Sequence, residues 1–178
     1  EISLGLVGSE MCIRDRERAV NYLSEFQKEG KLYRQDNIYS ENAIINHILN
    51  RKIEYCNNNG LSIKCMVCGE LKGVSDYDIH IILENLLDNA IEAALKAVNK
   101  RISVDIYSDE QAMVIKISNT TEENVLKNNP EMNTTKKDNS YHGYGIRNVS
   151  ELVKKNNGTI EYIQLGVDIV QCRVLLML

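Results

Sequence analysis

The spacing of apolar residues changes period several times along the chain, and each change marks an element. Over residues 42–57, Ile45, Ile48, Leu49 and Ile53 recur at steps of three and four, which predicts a helix with one buried side. Asn57-Asn58-Asn59-Gly60 ends it with a turn and a left-handed cap. Residues 61–67 form a short strand. Ser75, with Asp78 three positions on, resembles a capping box. It opens a second helix with an apolar stripe of Ile79, Ile82, Leu83, Leu86, Ala90 and Ala93. Residues 101–107 and 112–118 alternate, with Ile102, Val104, Ile106 and then Met113, Ile115, Ile117 on one side. Asp109-Glu110 between them predicts an antiparallel hairpin. A helix over 145–156, with Ile146, Val149, Leu152 and Val153 inward, is followed by strands at 159–164 and 167–176. Upstream, Ala19, Leu23 and Phe26 among charges predict an amphipathic helix over 17–31, and 33–39 is a polar connector. The sum is an α/β, two-layer sandwich: a mixed, mostly antiparallel sheet covered by three helices, with an N-terminal helical lead-in.

Composition narrows this little. A chain of 178 residues, 43% hydrophobic and 26% charged, suits one globular domain with a proper core. With no Trp and one Phe, that core rests on Ile, Leu, Val and Tyr. A formal net charge of -4 gives no electrostatic case for nucleic-acid binding. No apolar run approaches the ~20 residues that span a bilayer. Five cysteines are present, and Cys65 and Cys68 form a CxxC. On a strand, residues three apart face opposite sides, so free thiols are the expectation rather than a redox pair or zinc site.

The chemistry concentrates in Leu83-Glu84-Asn85-Leu86-Leu87-Asp88-Asn89-Ala90. Asn85 and Asn89 are one helical turn apart, on a face next to the apolar stripe. Asn is a poor helix former, costing up to ~0.7 kcal/mol relative to Ala. An unsatisfied buried amide costs about 1–3 kcal/mol more. A helix that carries two in register uses those amides.

This segment resembles the N box of the Bergerat-type ATPases: gyrase, heat-shock chaperone ATPases, mismatch-repair ATPases and sensor histidine kinases. Asn46-His47-Ile48-Leu49-Asn50-Arg51-Lys52, Asn59-Gly60-Leu61 and Asp76-Tyr77-Asp78-Ile79 are similar to the lead-in of one kinase subgroup. Asn133-Thr134-Thr135-Lys136-Lys137 and His142-Gly143-Tyr144-Gly145-Ile146-Arg147-Asn148-Val149 resemble its phosphate lid and second glycine box. The subgroup is the AgrC-like peptide-pheromone receptor kinases, and the resemblance covers residues 17–178. It implies a Bergerat ATP-binding domain over 38–178, preceded by the end of a dimerisation helix and a connector over 17–37. Residues 1–16 resemble translated sequencing-adapter sequence and are set apart from the fold.

The resemblance also implies roles. Asn89 coordinates Mg²⁺, an ion that takes oxygen ligands and keeps several waters. Asn85 reaches the same phosphate and water shell, so Asn85 and Asn89 are the expected catalytic pair. The expected nucleotide contacts are Asn85, Asp88, Asn89, Asn119, Lys136, Lys137, His142, Gly143, Tyr144, Gly145, Ile146 and Asn148, with Arg147 a further lid contact. Gly143 and Gly145 let backbone approach phosphate, and the helix they open offers its N–H groups. Gyrase-like relatives carry a water-activating Glu at the position of Asn85. Asn is no base at neutral pH, and Glu84 points about 100° away, so slow hydrolysis is expected. The first glycine box departs from the usual pattern: in Ile117-Ser118-Asn119-Thr120-Thr121, Asn119 stands for the usual Asp and the glycines are missing. Of His47, His80 and His142, none sits in a phospho-acceptor context, so the acceptor is expected upstream of residue 17. The implied partners are a second copy through upstream helices, a response regulator and a membrane sensor domain, with this portion cytoplasmic. Two other readings stay open: a degenerate, non-catalytic dimerisation scaffold, and a stand-alone ATPase or anti-sigma-type serine kinase.

Overall fold

The computed structural model describes residues 40–69, 71, 73–122 and 145–178. The expected leader at 1–16, the lead-in helix and connector at 17–37, and Lys136, Lys137, His142, Gly143 and Tyr144 lie outside the described residues. Among the described residues there are three helices, α1 (Ala43–Asn58), α2 (Asp76–Lys96) and α3 (Gly145–Lys155). Five strands accompany them: β1 (Ser62–Gly69), β2 (Arg101–Ser108), β3 (Ala112–Thr120), β4 (Thr159–Gln164) and β5 (Ile169–Met177). None of these helices is long and apolar enough to cross a membrane.

The strands form one sheet in the order β1-β2-β3-β5-β4. Only β1 and β2 pair in parallel; a parallel pair needs a crossover, and α2 supplies it. The β2–β3 hairpin sets Val104 opposite Ile117 and Ile106 opposite Ile115. β3 then pairs with β5, placing Ile115 opposite Val174 and Ile117 opposite Cys172. These registers align the inward residues of every strand on one face, as strand alternation requires. All three helices pack on that face, and Ile45, Ile48, Leu49, Ile82, Leu83, Leu87, Ile106, Ile115 and Val174 are fully or almost fully buried between the layers. This is the expected two-layer α/β sandwich.

Several boundaries differ from the sequence expectation, each for a local reason. The first strand starts at Ser62, because the Leu61 N–H turns back to the Cys56 carbonyl at 2.9 Å. That bond, the Gly60 N–H on Asn57 O and the positive φ of Gly60 (69°) make a Schellman cap. Asn157, at φ 49°, plays the same part after α3. β3 runs on to Thr120, since Asn119 and Thr120 still pair with Val170 and Ile169. β5 begins only at Ile169, with Val167 in the exposed turn before it. On α2 the buried face is broader than the expected stripe and takes in Leu87, Ile91 and Ala94 while Ala93 stays half-buried. The helix is central and touches α1, α3 and the sheet.

Asp78 departs furthest from expectation. Its N–H is capped by Ser75 Oγ at 3.1 Å, as a capping box requires. Its carboxylate, 1% exposed, instead crosses to the end of α3. Lys155 Nζ donates to both oxygens at 3.0 and 2.9 Å, and Asn156 Nδ2 to Oδ2 at 3.0 Å. Burial by itself raises the Asp78 carboxyl, but the bonds from Asn156 and Lys155 and the lysine charge outweigh it and hold it below the ordinary 3.8. A depressed carboxyl stabilises the fold at pH values above its unfolded pKa, and that stabilisation is lost as pH falls through the folded value. Asp78→Asn is therefore expected to cost about 2 kcal/mol at pH 7. In urea titrations the difference from wild type should shrink steadily once the pH drops below 3.8; a gap that is the same at pH 7 and pH 3 would contradict the assignment.

Candidate functional site

Three faces of α2 do different work. Ile82, Leu83, Leu86 and Leu87 are buried in the core. Glu84 and Asp88, four residues apart, turn to α1. Asp78 and Asn85 lie along the seam with α3, and Asn89 stands one turn beyond Asn85 on the same side.

The seam is where distant parts of the sequence meet. Gly145 is the first residue of α3, and Asn85 lies directly against it: a Cβ built on Gly145 would sit 2.7 Å from Asn85 Oδ1. A side chain there would have to displace the Asn85 amide for α3 to begin this close. The Asn85 amide is fixed from its other side, because Nδ2 donates to the Ile81 carbonyl at 2.7 Å. The oxygen is thereby aimed at the start of α3, where the first-turn N–H groups have no partner inside the helix. The Asn89 side chain, half-buried, is hydrogen-bonded by none of the described residues. Asn85 and the expected glycine thus meet where α3 begins, and Asn89 follows Asn85 by one turn of α2.

Asn119 is placed at the exit of β3, 7% exposed on the helix-covered side, opposite Ile102 and Val170. Its Nδ2 donates to Thr120 O at 3.0 Å, and no described residue donates to its Oδ1. Thr120, the next residue, is a tie: its hydroxyl donates to the Asn99 carbonyl in the loop leaving α2 and accepts from Arg101 N at 3.1 Å. Ile146 is half-buried. Asn148 and Arg147 are exposed, Arg147 pairing with Glu151 at 3.1 Å on α3 itself.

Asp88 is engaged elsewhere. Lys52 Nζ from α1 lies 2.5 Å from Asp88 Oδ1 and 2.8 Å from Glu84 Oε2, and Arg51 pairs with the other Glu84 oxygen. Burial raises the Glu84 carboxyl, but Lys52 and then Arg51 more than offset this and keep it ionised. Sequence reasoning passed over Lys52. The signal was there: it continues the buried spacing Ile45, Leu49, Cys56 as a lone charge on an apolar stripe. Cys65 points into the core and Cys68 to the opposite face, in register with Val104 and Tyr107. Burial, with Cys56 and Asp105 nearby, pushes the Cys65 thiol up to about 12, so it is inert.

The Asn85–Gly145 contact is open to a double-mutant cycle. Gly145→Ala is expected to destabilise the protein by about 1–2 kcal/mol through overpacking. In an Asn85→Ala background most of that cost should vanish, because the clashing oxygen is gone. Equal costs in both backgrounds, measured by urea unfolding, would show that the two residues are not in contact.

The fold is similar to that of several solved kinases. The catalytic domain of histidine kinase ThkA, in a nucleotide-free form, superposes with a TM-score of 0.56 at 14% identity, over 78% of this chain and 93% of that one. Full-length ShkA in complex with AMPPNP gives 0.57 at 14% identity, over 74% of this chain and 29% of that one. Acinetobacter baumannii histidine kinase AdeS gives 0.53 at 15%, over 97% and 82%. Likeness at such identities concerns the fold. No curated protein sequence is significantly similar to the chain. The sequence itself carries the family: residues 74–175, from the lead-in of α2 nearly to the end of β5, match the family model of the GHKL domain, and the chain belongs to that family.

Proposed function

We propose that the chain is the ATP-binding catalytic domain of a sensor histidine kinase of the AgrC-like, peptide-pheromone class. The observation that carries this reading is the seam contact: Gly145 lets α3 start against Asn85, one turn from Asn89, whose amide has no hydrogen-bond partner among the described residues. A kinase-type nucleotide needs an oxygen ligand for Mg²⁺, donors for phosphate and an acceptor for the adenine amino group. Asn89, the α3 N-terminus and Asn119 Oδ1 are groups of those kinds, so the residues present fit Mg-ATP.

In this reading Asn89 holds Mg²⁺ through its amide oxygen, and Asn85 orients the adjoining water and phosphate shell. Bound Mg²⁺ supplies positive charge against the phosphates. The first-turn N–H groups of α3, with Gly143, Tyr144, Gly145 and Ile146 at its approach, cradle phosphate oxygens, and Asn148 buttresses that end. Lys136 or Lys137 and His142 close from the segment between β3 and α3. Asp88 borders the site while held by Lys52. Asn85 cannot act as a base, and Glu84, the nearest carboxylate in sequence, is held on α1 by two cations. Nothing on this stretch of α2 therefore activates water, which suits phosphotransfer over hydrolysis. The acceptor is a histidine on dimerisation helices upstream, in a homodimer, with a response regulator downstream and a membrane sensor domain ahead of this cytoplasmic portion.

A second reading, a scaffold that has lost nucleotide binding, draws on one observation. The glycines of the first box are replaced by Thr120 and Thr121, and Thr120 is locked onto the α2 exit loop. Calorimetric titration of ATP with and without Mg²⁺ separates the two. Expected is Mg²⁺-dependent binding that Asn89→Ala weakens by about tenfold or more, with negligible release of phosphate. Absence of binding to the folded wild-type chain would leave the scaffold, and brisk turnover would point to the ATPase.

A further inference from the structure

Lys52 is an expensive residue where it stands. It is 7% exposed, and a buried ammonium is tolerated only when fully paired. Its partners are Glu84 and Asp88, which alternate along α2 with the two asparagines: Glu84 precedes Asn85 and Asp88 precedes Asn89. The apolar contacts of Ile45, Ile48, Leu49 and Cys56 already hold α1 to the core. Apolar packing, however, is indifferent to small rotations, whereas an ion pair on two successive turns is directional. The asparagines stand about 100° around the helix from these carboxylates. With side chains reaching about 6 Å from the axis, a 20° rotation of α2 would carry their amides by about 2 Å. That shift is enough to break the approach of Asn85 to Gly145.

We propose that Lys52 is a positioning residue: by gripping Glu84 and Asp88 it fixes the rotation of α2 and so the aim of Asn85 at the start of α3 and the direction of Asn89 one turn on. Arg51 assists by holding the second oxygen of Glu84. The effect on nucleotide affinity rests on the reading of the site given above; the effect on the asparagines does not.

The test uses the full chain with Lys52→Met, Lys52→Arg and Asp88→Asn. The last leaves Lys52 on Glu84 and breaks one arm at an exposed carboxylate, so it remains informative if Lys52→Met does not fold. In the free protein, the side-chain amide resonances of Asn85 and Asn89 are expected to move in Lys52→Met, to move less in Asp88→Asn, and to return in Lys52→Arg. Mg-ATP affinity by calorimetry should fall about tenfold in Lys52→Met and recover in Lys52→Arg. A purely stabilising lysine would lower the melting temperature and leave both amides where they were, and that result overturns the proposal. If wild type binds no Mg-ATP, the nucleotide reading fails, and the amide resonances alone decide for or against Lys52.

Discussion

The site depends on one packing constraint, the antiparallel seam between α2 and α3. At one end the buried carboxylate of Asp78 takes Lys155 and Asn156 from the close of α3. At the other, Gly145 has no side chain and lets the beginning of α3 rest on Asn85. The first contact is electrostatic and satisfied on every oxygen it shows; the second is steric. Together they fix both the direction and the depth of α3. The positive end of its dipole therefore meets the asparagine face of α2. Slide α3 by one residue and neither contact survives.

Because α2 is the crossover of the parallel β1–β2 pair, it lies in the middle of the helical layer and is read from three sides. Hydrophobic burial against the sheet sets its position but says little about rotation, since a broad apolar face of Ile, Leu and Ala fits over a range of angles. The polar flanks supply the angle: Asp78 and Asn85 toward α3, Glu84 and Asp88 toward Lys52. The same division separates chemistry from structure. Glu84 and Asp88 pair with cations of α1, while the Asn85 amide turns to the start of α3.

The end of β3 shows a different compromise. Thr120 and Thr121 there are both buried. The Thr120 hydroxyl fastens β3 and the first residue of β2 to the loop leaving α2. Asn119 beside it donates one amide hydrogen to the backbone, and no described residue donates to its oxygen.

The sequence by itself determined the elements and their class. Periods of 3.6 and 2 reflect which side of a local segment is buried, so α1, α2, α3 and the five strands were legible, as were the Gly60 cap and the hairpin. Asn85 and Asn89 were legible as candidates because they break a local rule, two amides in a helix interior, and Gly145 only through the resemblance of its motif to a glycine box. Boundaries failed by one or two residues where a cap or a ladder bond competed, as at Leu61 and Thr120. What only the tertiary structure decided was which distant groups share a bond. Asp78 looks like a local cap, and its capping bond to Ser75 is real, yet its carboxylate belongs to Lys155, far along the chain. Lys52 looks like an interruption of an apolar stripe, and its meaning appears only when Glu84 and Asp88 stand opposite. Local periodicity carries no term for the depth or rotation at which two helices meet; that is set by the packing of side chains far apart in sequence, and the aim of the two asparagines follows from it.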